Sequence, residues 1–139
     1  ADKGDVVVLA VPFSAAMEVL AELRPVLQGR GKILLDITNA EYSQELEGMS
    51  GAELNRAVLG DESTKWVAAY KSVFAYKLRF GSENAQVIDV CGDPEARAVV
   101  CDMVRSHGWK SRVRGDLGEA AKIEPGRRVA ELRQMYGSS

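Results

Sequence analysis

Hydrophobic positions along this chain fall into short unbroken runs separated by stretches with helical periodicity, a pattern that predicts strands alternating with helices. The first run, Val6 to Val11, stops at Pro12. Ser14 then reads as an N-cap, and Ala15, Val19, Leu20, Leu23, Val26 and Leu27 form the apolar stripe of a helix ending near Gly29. A second strand is expected from Lys32 to Ile37, passing into the polar turn Asp36-Ile37-Thr38-Asn39. The pattern weakens from Glu41 to Thr64, which reads as a surface excursion with a short helix around Ala52 to Val58. Trp66 to Tyr70, Gln86 to Cys91 and Lys110 to Arg114 complete the expected strands, and Ser72 to Arg79 is left open between helix and loop. Asp93 and Pro94 open a helix that runs to about Ser106, with Ala98, Val99, Met103 and Val104 inward. A last helix starts near Leu117, and Pro125 ends or kinks it. Strands that are apolar throughout belong to a sheet covered on both faces, so the expected class is α/β with a mostly parallel, partial Rossmann-like sheet flanked by helices.

Composition narrows the field. A length of 139 residues suits one domain, and 46% hydrophobic with 27% charged residues is ordinary for a globular chain. A net charge of -2 exerts no general pull on nucleic acid or anionic membrane, and Val6 to Phe13, the longest apolar run, is too short to span a bilayer. The expected location is the cytoplasm. Cys91 and Cys101 form no C-x-x-C pair and have no set of histidines beside them, so they read as buried reduced thiols, and no metal site is expected. The single histidine, His107, precedes Gly108 at the end of an expected helix, where a cation complements the helix dipole. A role as general acid or base has no accompanying carboxylate and nucleophile to support it.

In open parallel sheets, ligands lie beyond the carboxyl ends of the strands. The loops expected there are Val11-Pro12-Phe13-Ser14, Asp36-Ile37-Thr38-Asn39 and Tyr70-Lys71-Ser72. Each admits a plainer reading. Proline lets a chain leave a sheet without an unpaired amide, Asn in a turn bonds its own backbone, and Lys71 reads as a solvated charge at a strand end as readily as a ligand for phosphate. The 13 glycines never fall into G-x-G-x-x-G, and the nearest imitation, Gly29-Arg30-Gly31, lies between a helix and a strand. The chain therefore reads as the C-terminal part of an NAD(P)-binding Rossmann-like fold, spanning residues 1 to 139. The first strand would then be an open edge too apolar to face water. Its expected cover is a second copy, giving a homodimer, or the missing first half of the fold.

The order of motifs adds a further expectation. V-V-V-L-A-V-P, a helix, I-L-L-D-I-T-N, a variable excursion, V-I-D-V-C-G-D-P-E-A and a late A-K-I-E-P together resemble the NADP oxidoreductases that depend on the deazaflavin coenzyme. They are also similar to the cytosolic oxidoreductase domain of six-transmembrane ferric reductases. The resemblance runs from Asp5 to Glu124. It implies that Ala10, Val11, Pro12 and Phe13, with Thr38 and Asn39, lie along the nicotinamide half of NADP, and that a deazaflavin or flavin stacks close enough for direct hydride transfer. Such a reaction needs no acid or base from the protein, only two rings held in contact away from water. Two departures stand against it: the glycine turn for the pyrophosphate is absent, and Ala69-Tyr70-Lys71-Ser72 replaces a Lys-Ala-Phe-Asn-Thr type sequence, leaving Lys71 to meet a phosphate or flavin edge. Without the glycine turn, a monomer is expected to bind NADP poorly. The resemblance places Lys122 and Glu124 on a late helix near the active site, while their plainer reading is an exposed helical face; Arg127, Arg128 and Arg133 read as solvated surface. The alternatives to an oxidoreductase domain are a non-catalytic remnant that oligomerises or binds a partner, and a small-ligand sensor.

Overall fold

The computed structural model describes residues 6–39, 49–71 and 87–124. Five strands form one sheet in the order β1 (Val6–Leu9), β2 (Ile33–Asp36), β3 (Lys65–Ala69), β4 (Val87–Gly92) and β5 (Lys110–Gly115). The first three run parallel, β4 is antiparallel to β3, and β5 runs parallel to β4. Helices α1 (Ala16–Leu27), α2 (Gly51–Leu59) and α3 (Pro94–Ser106) alternate with the strands. The α/β class expected from the hydrophobic pattern is therefore the class observed.

Strand alternation divides the core in two. Leu9, Leu34, Trp66, Ala68 and Cys91 point to one face, under Leu20 and Leu27 of α1, Ala52 and Leu59 of α2, and the 3-10 segment Leu117–Ile123. Ile33, Leu35, Val67, Ala69, Ile88 and Val90 point to the other, where Ala96, Val100 and Val104 of α3 cover them together with Trp109. Each β2 residue named here is buried on its own face, which is why that strand reads as a continuous apolar run.

Local chemistry shapes the elements. Helix α2 begins with a capping box in which the Ser50 hydroxyl accepts from the Glu53 N–H and the Glu53 carboxylate accepts from the Ser50 N–H. Its other end is held by α1, whose Arg24 donates to the Leu59 and Val58 carbonyls. A Cβ on Gly92 would stand 2.4 Å from the Trp66 carbonyl oxygen, so β4 can pass β3 there only without a side chain.

Several expectations change in detail. Ser14 does not cap α1; the chain enters through a 3-10 turn at Phe13–Ala15, whose leading carbonyl, that of Pro12, accepts from the Ala15 N–H at 2.9 Å. Asp93 heads α3 by its backbone alone, because its carboxylate accepts instead from the Trp66 N–H of β3 at 3.1 Å. The element after Asp116 is a 3-10 helix, and β1 ends at Leu9 rather than Val11. His107 terminates α3 ahead of Gly108, which takes φ +85°, as the sequence suggests. Both cysteines are free and buried, and burial pushes the Cys91 thiol up to about 11. The readings made for Ser72 to Arg79, Pro125 and the three late arginines lie outside the described residues.

Candidate functional site

The carboxyl ends of β1, β2 and β3 lie side by side, because the three strands are parallel and in register. Ala10 to Phe13 leave β1, Thr38 and Asn39 leave β2, and Lys71 follows β3, so all seven candidate residues emerge at the same end of the sheet. The Ile37 N–H donates to the Leu9 carbonyl at 3.2 Å and carries the pairing of β1 and β2 into this loop region. Ala10, Pro12 and Asn39 are exposed, Val11 and Phe13 half-buried, and Thr38 and Lys71 buried.

Beneath the exposed residues lies a buried polar cluster. Asp36, the last residue of β2, accepts from the Thr38 N–H at 2.8 Å and the Thr38 hydroxyl at 2.6 Å through Oδ1. The same oxygen accepts from Lys71 Nζ at 2.9 Å, while Oδ2 accepts from Asn55 Nδ2 of α2 at 2.9 Å. Lys71 Nζ also donates to the Thr38 carbonyl at 2.5 Å and lies 3.6 Å from Glu124 Oε2. The other Glu124 oxygen accepts from the Gly51 N–H at the start of α2, where the helix dipole favours a carboxylate. One buried ammonium thus joins two buried carboxylates and ties β2, β3, α2 and the segment after residue 123 into one unit.

Lys71 is only 2% exposed, so the reading of a solvated charge is corrected. The reason is the backbone at Tyr70, the one non-glycine described residue with positive φ, at +59°. That left-handed turn breaks strand alternation: Ala69 and Tyr70 both pack on the α3 face, and Lys71 is delivered to the opposite face beside Asp36. Glu124 is likewise fully buried, where the plainer reading was an exposed helical face. Asp36, Asn55 and Glu124 were absent from the candidate set. A carboxylate closing the apolar run I-L-L-D signals Asp36 in the sequence; nothing local signals the other two, since Asn55 acts on residues at least 17 positions away and Glu124 on residues at least 53 away.

On the α3 face, the same strand ends border an apolar cavity of about 360 Å³ lined by Val8, Leu35, Ile37, Tyr70, Met103, His107 and Trp109. The Tyr70 and Trp109 rings lie 5.8 Å apart at 55°. Burial raises the Tyr70 pKa. Among the described residues, no group of acidic, cysteine or histidine side chains is arranged to hold a metal ion.

Residues 1–40 match the family model of the coenzyme F420-dependent NADP oxidoreductases. That region contains Ala10 to Phe13 and the Thr38-Asn39 turn, two of the motifs on which the resemblance to this family rests. No curated protein matches the chain. Among solved structures, a proposed F420-dependent NADP reductase of Arthrobacter sp. FB24 superposes with a TM-score of 0.74 at 23% identity, over 96% of this chain and 65% of its own. A hypothetical protein of Sinorhizobium meliloti gives a TM-score of 0.71 at 23% identity, over 86% and 60%. A pyrroline-5-carboxylate reductase of Coxiella burnetii gives 0.59 at 15% identity, over 96% and 49%. At these identities the likeness is one of fold. The chain spans about two thirds or less of the length of these proteins. No helix among the described residues is long and apolar enough to cross a membrane.

Proposed function

We propose that this chain is an NADP-linked oxidoreductase domain of the F420-dependent kind, in which the loops after β1 and β2 hold the nicotinamide half of NADP beside a deazaflavin or flavin. The observation that carries this reading is the pair of loops after β1 and β2, which expose Ala10, Pro12 and Asn39 above a buried charged cluster at the carboxyl ends of three parallel strands. The same loops lie within the residues matched by the family model.

The donor set suits a nicotinamide ring and its carboxamide. Ala10 and Pro12 offer small exposed apolar surfaces for a ring face, and Asn39 offers an amide for the carboxamide. NADPH, when bound, supplies the hydride; the chain's residues orient the ring and keep water from its face. The groups named here would meet the ring half of the nucleotide. Isothermal titration with NADPH tests the reading. Saturable binding with a Kd at or below about 1 mM, which corresponds to roughly 4 kcal/mol, is expected. No heat at millimolar ligand overturns it.

A second reading, an oligomerisation module, is favoured by β1. Among the described residues this strand is the sheet edge, carries only Val and Leu, and leaves Val8 48% exposed. The opposite edge, β5, carries Lys110, Arg112 and Arg114, the kind of charge that discourages edge pairing. On this reading the chain forms a homodimer through β1. Light scattering is then expected to show a dimer that V8K converts to monomer; a wild-type monomer excludes it.

A further inference from the structure

Asn39 makes one described hydrogen bond with its side chain: Nδ2 donates to the Lys71 carbonyl at 2.7 Å. A backbone carbonyl only accepts, so the atom facing it must be the amide nitrogen, and this settles which way the Asn39 amide points. Oδ1 is left as an acceptor on an exposed side chain.

Lys71 is in turn immobilised. Its ammonium is buried between Asp36 and Glu124 and donates to the carbonyl of Thr38, the residue immediately before Asn39. The Thr38 N–H and hydroxyl are both held by Asp36. Tyr70, directly before Lys71, sits in the left-handed region that a bulky residue occupies only when its surroundings impose it. Two turns from different strands are thus locked to each other twice, through Lys71 Nζ to the Thr38 carbonyl and through Asn39 Nδ2 to the Lys71 carbonyl.

We infer that Lys71 is a positioning residue: anchored by Asp36 and Glu124, it fixes the Asn39 amide so that Oδ1 is presented as an acceptor to an N–H of a ligand carboxamide. The ammonium is committed within the cluster, and its influence on a ligand passes through Asn39. The inference rests on the nicotinamide reading for its ligand but on this chain's own geometry for the positioning.

The test compares NADPH with its 3-acetylpyridine analogue, in which a methyl group replaces the carboxamide NH2. Loss of one hydrogen bond of about 1 kcal/mol corresponds to roughly fivefold weaker binding, so wild type is expected to prefer NADPH about fivefold. N39A is expected to bind the two alike, and K71M to lose the preference as well, although it leaves Asn39 in place. A purely structural role for Lys71 would weaken both ligands equally and keep the ratio. Should K71M fail to fold, D36N/K71M/E124Q, which removes the buried charges together, takes its place. A fivefold preference that persists in either variant overturns the positioning role, and equal binding of both ligands by wild type overturns the carboxamide contact.

If neither ligand binds, the nicotinamide reading fails, and the positioning is decided without ligand by nitrogen-resolved NMR. The two Asn39 side-chain amide protons are expected to be well dispersed in wild type and to collapse to the averaged positions of a free amide in the Lys71 variant. Unchanged Asn39 resonances in that variant overturn the proposal.

Discussion

Two aspartates, one at each end of the sheet, solve similar hydrogen-bonding problems with different consequences. Asp36 closes β2 at its carboxyl end; Asp61 lies ahead of β3 at the amino end, beside the link from α1 into β2. Asp61 accepts from the Thr64 hydroxyl at 2.6 Å, the Ser63 hydroxyl at 2.8 Å and the Gly29 N–H at 3.2 Å. Those donors are neutral, and two of the three are within three residues. The Thr64 hydroxyl, followed by the Ser63 and Gly29 bonds, outweighs desolvation and holds the Asp61 carboxyl at about 2. Asp36 instead shares a fully buried site with a lysine 35 residues away, an asparagine from α2 and, through that lysine, Glu124. The first cluster closes loops. The second holds a charge out of water beside an exposed amide, an expense in desolvation that a turn does not require. The contrast shows that similar hydrogen-bond counts on a carboxylate can hide a difference in kind: Asp61 takes local neutral donors, whereas Asp36 holds a buried charged partner next to an exposed amide.

The largest break in this comparison is expected from K71M. Removing the ammonium leaves Asp36 and Glu124 buried without it, and loss of one member of a buried ion pair costs about 3–5 kcal/mol. Urea denaturation measures it, and a loss below about 1 kcal/mol would mean that the cluster relaxes toward water. D61N is expected to cost less, about 1–2 kcal/mol at neutral pH, because only neutral donors lose a partner and the carboxylate they bond is half-buried.

D61N also carries a pH signature. The Asp61 carboxyl is depressed from 3.8 to about 2 on folding, so its contribution is complete above pH 3.8 and disappears as pH falls toward 2. Urea midpoints taken down this range are expected to show wild type and D61N converging. A constant gap between them would show that the hydrogen bonds of Asp61 do not depend on its charge.

The architecture was legible in the sequence because it follows from local patterns. Unbroken apolar runs at Val6 to Leu9, Ile33 to Leu35 and Trp66 to Ala69 become parallel strands, the latter two buried, and Pro94 after Asp93 starts a helix as expected. The loops bearing Pro12, Asn39 and Lys71 also lie where strand polarity requires them. What the pattern could not supply was the burial of Lys71 and Glu124, for which a solvated charge and an exposed helical face were the plainer readings. A single lysine at a strand end looks alike whether it meets water or a carboxylate. The difference was made by the left-handed backbone at Tyr70 and by partners far along the chain. Hydrophobic periodicity by itself determined the class, the strand order along the chain and the end of the sheet at which chemistry can occur, since those depend on which side of each element excludes water. The tertiary structure alone decided the buried Asp36, Lys71 and Glu124 cluster and the direction of the Asn39 amide, because long-range pairing of charges is a property of which segments meet, and no local pattern records that.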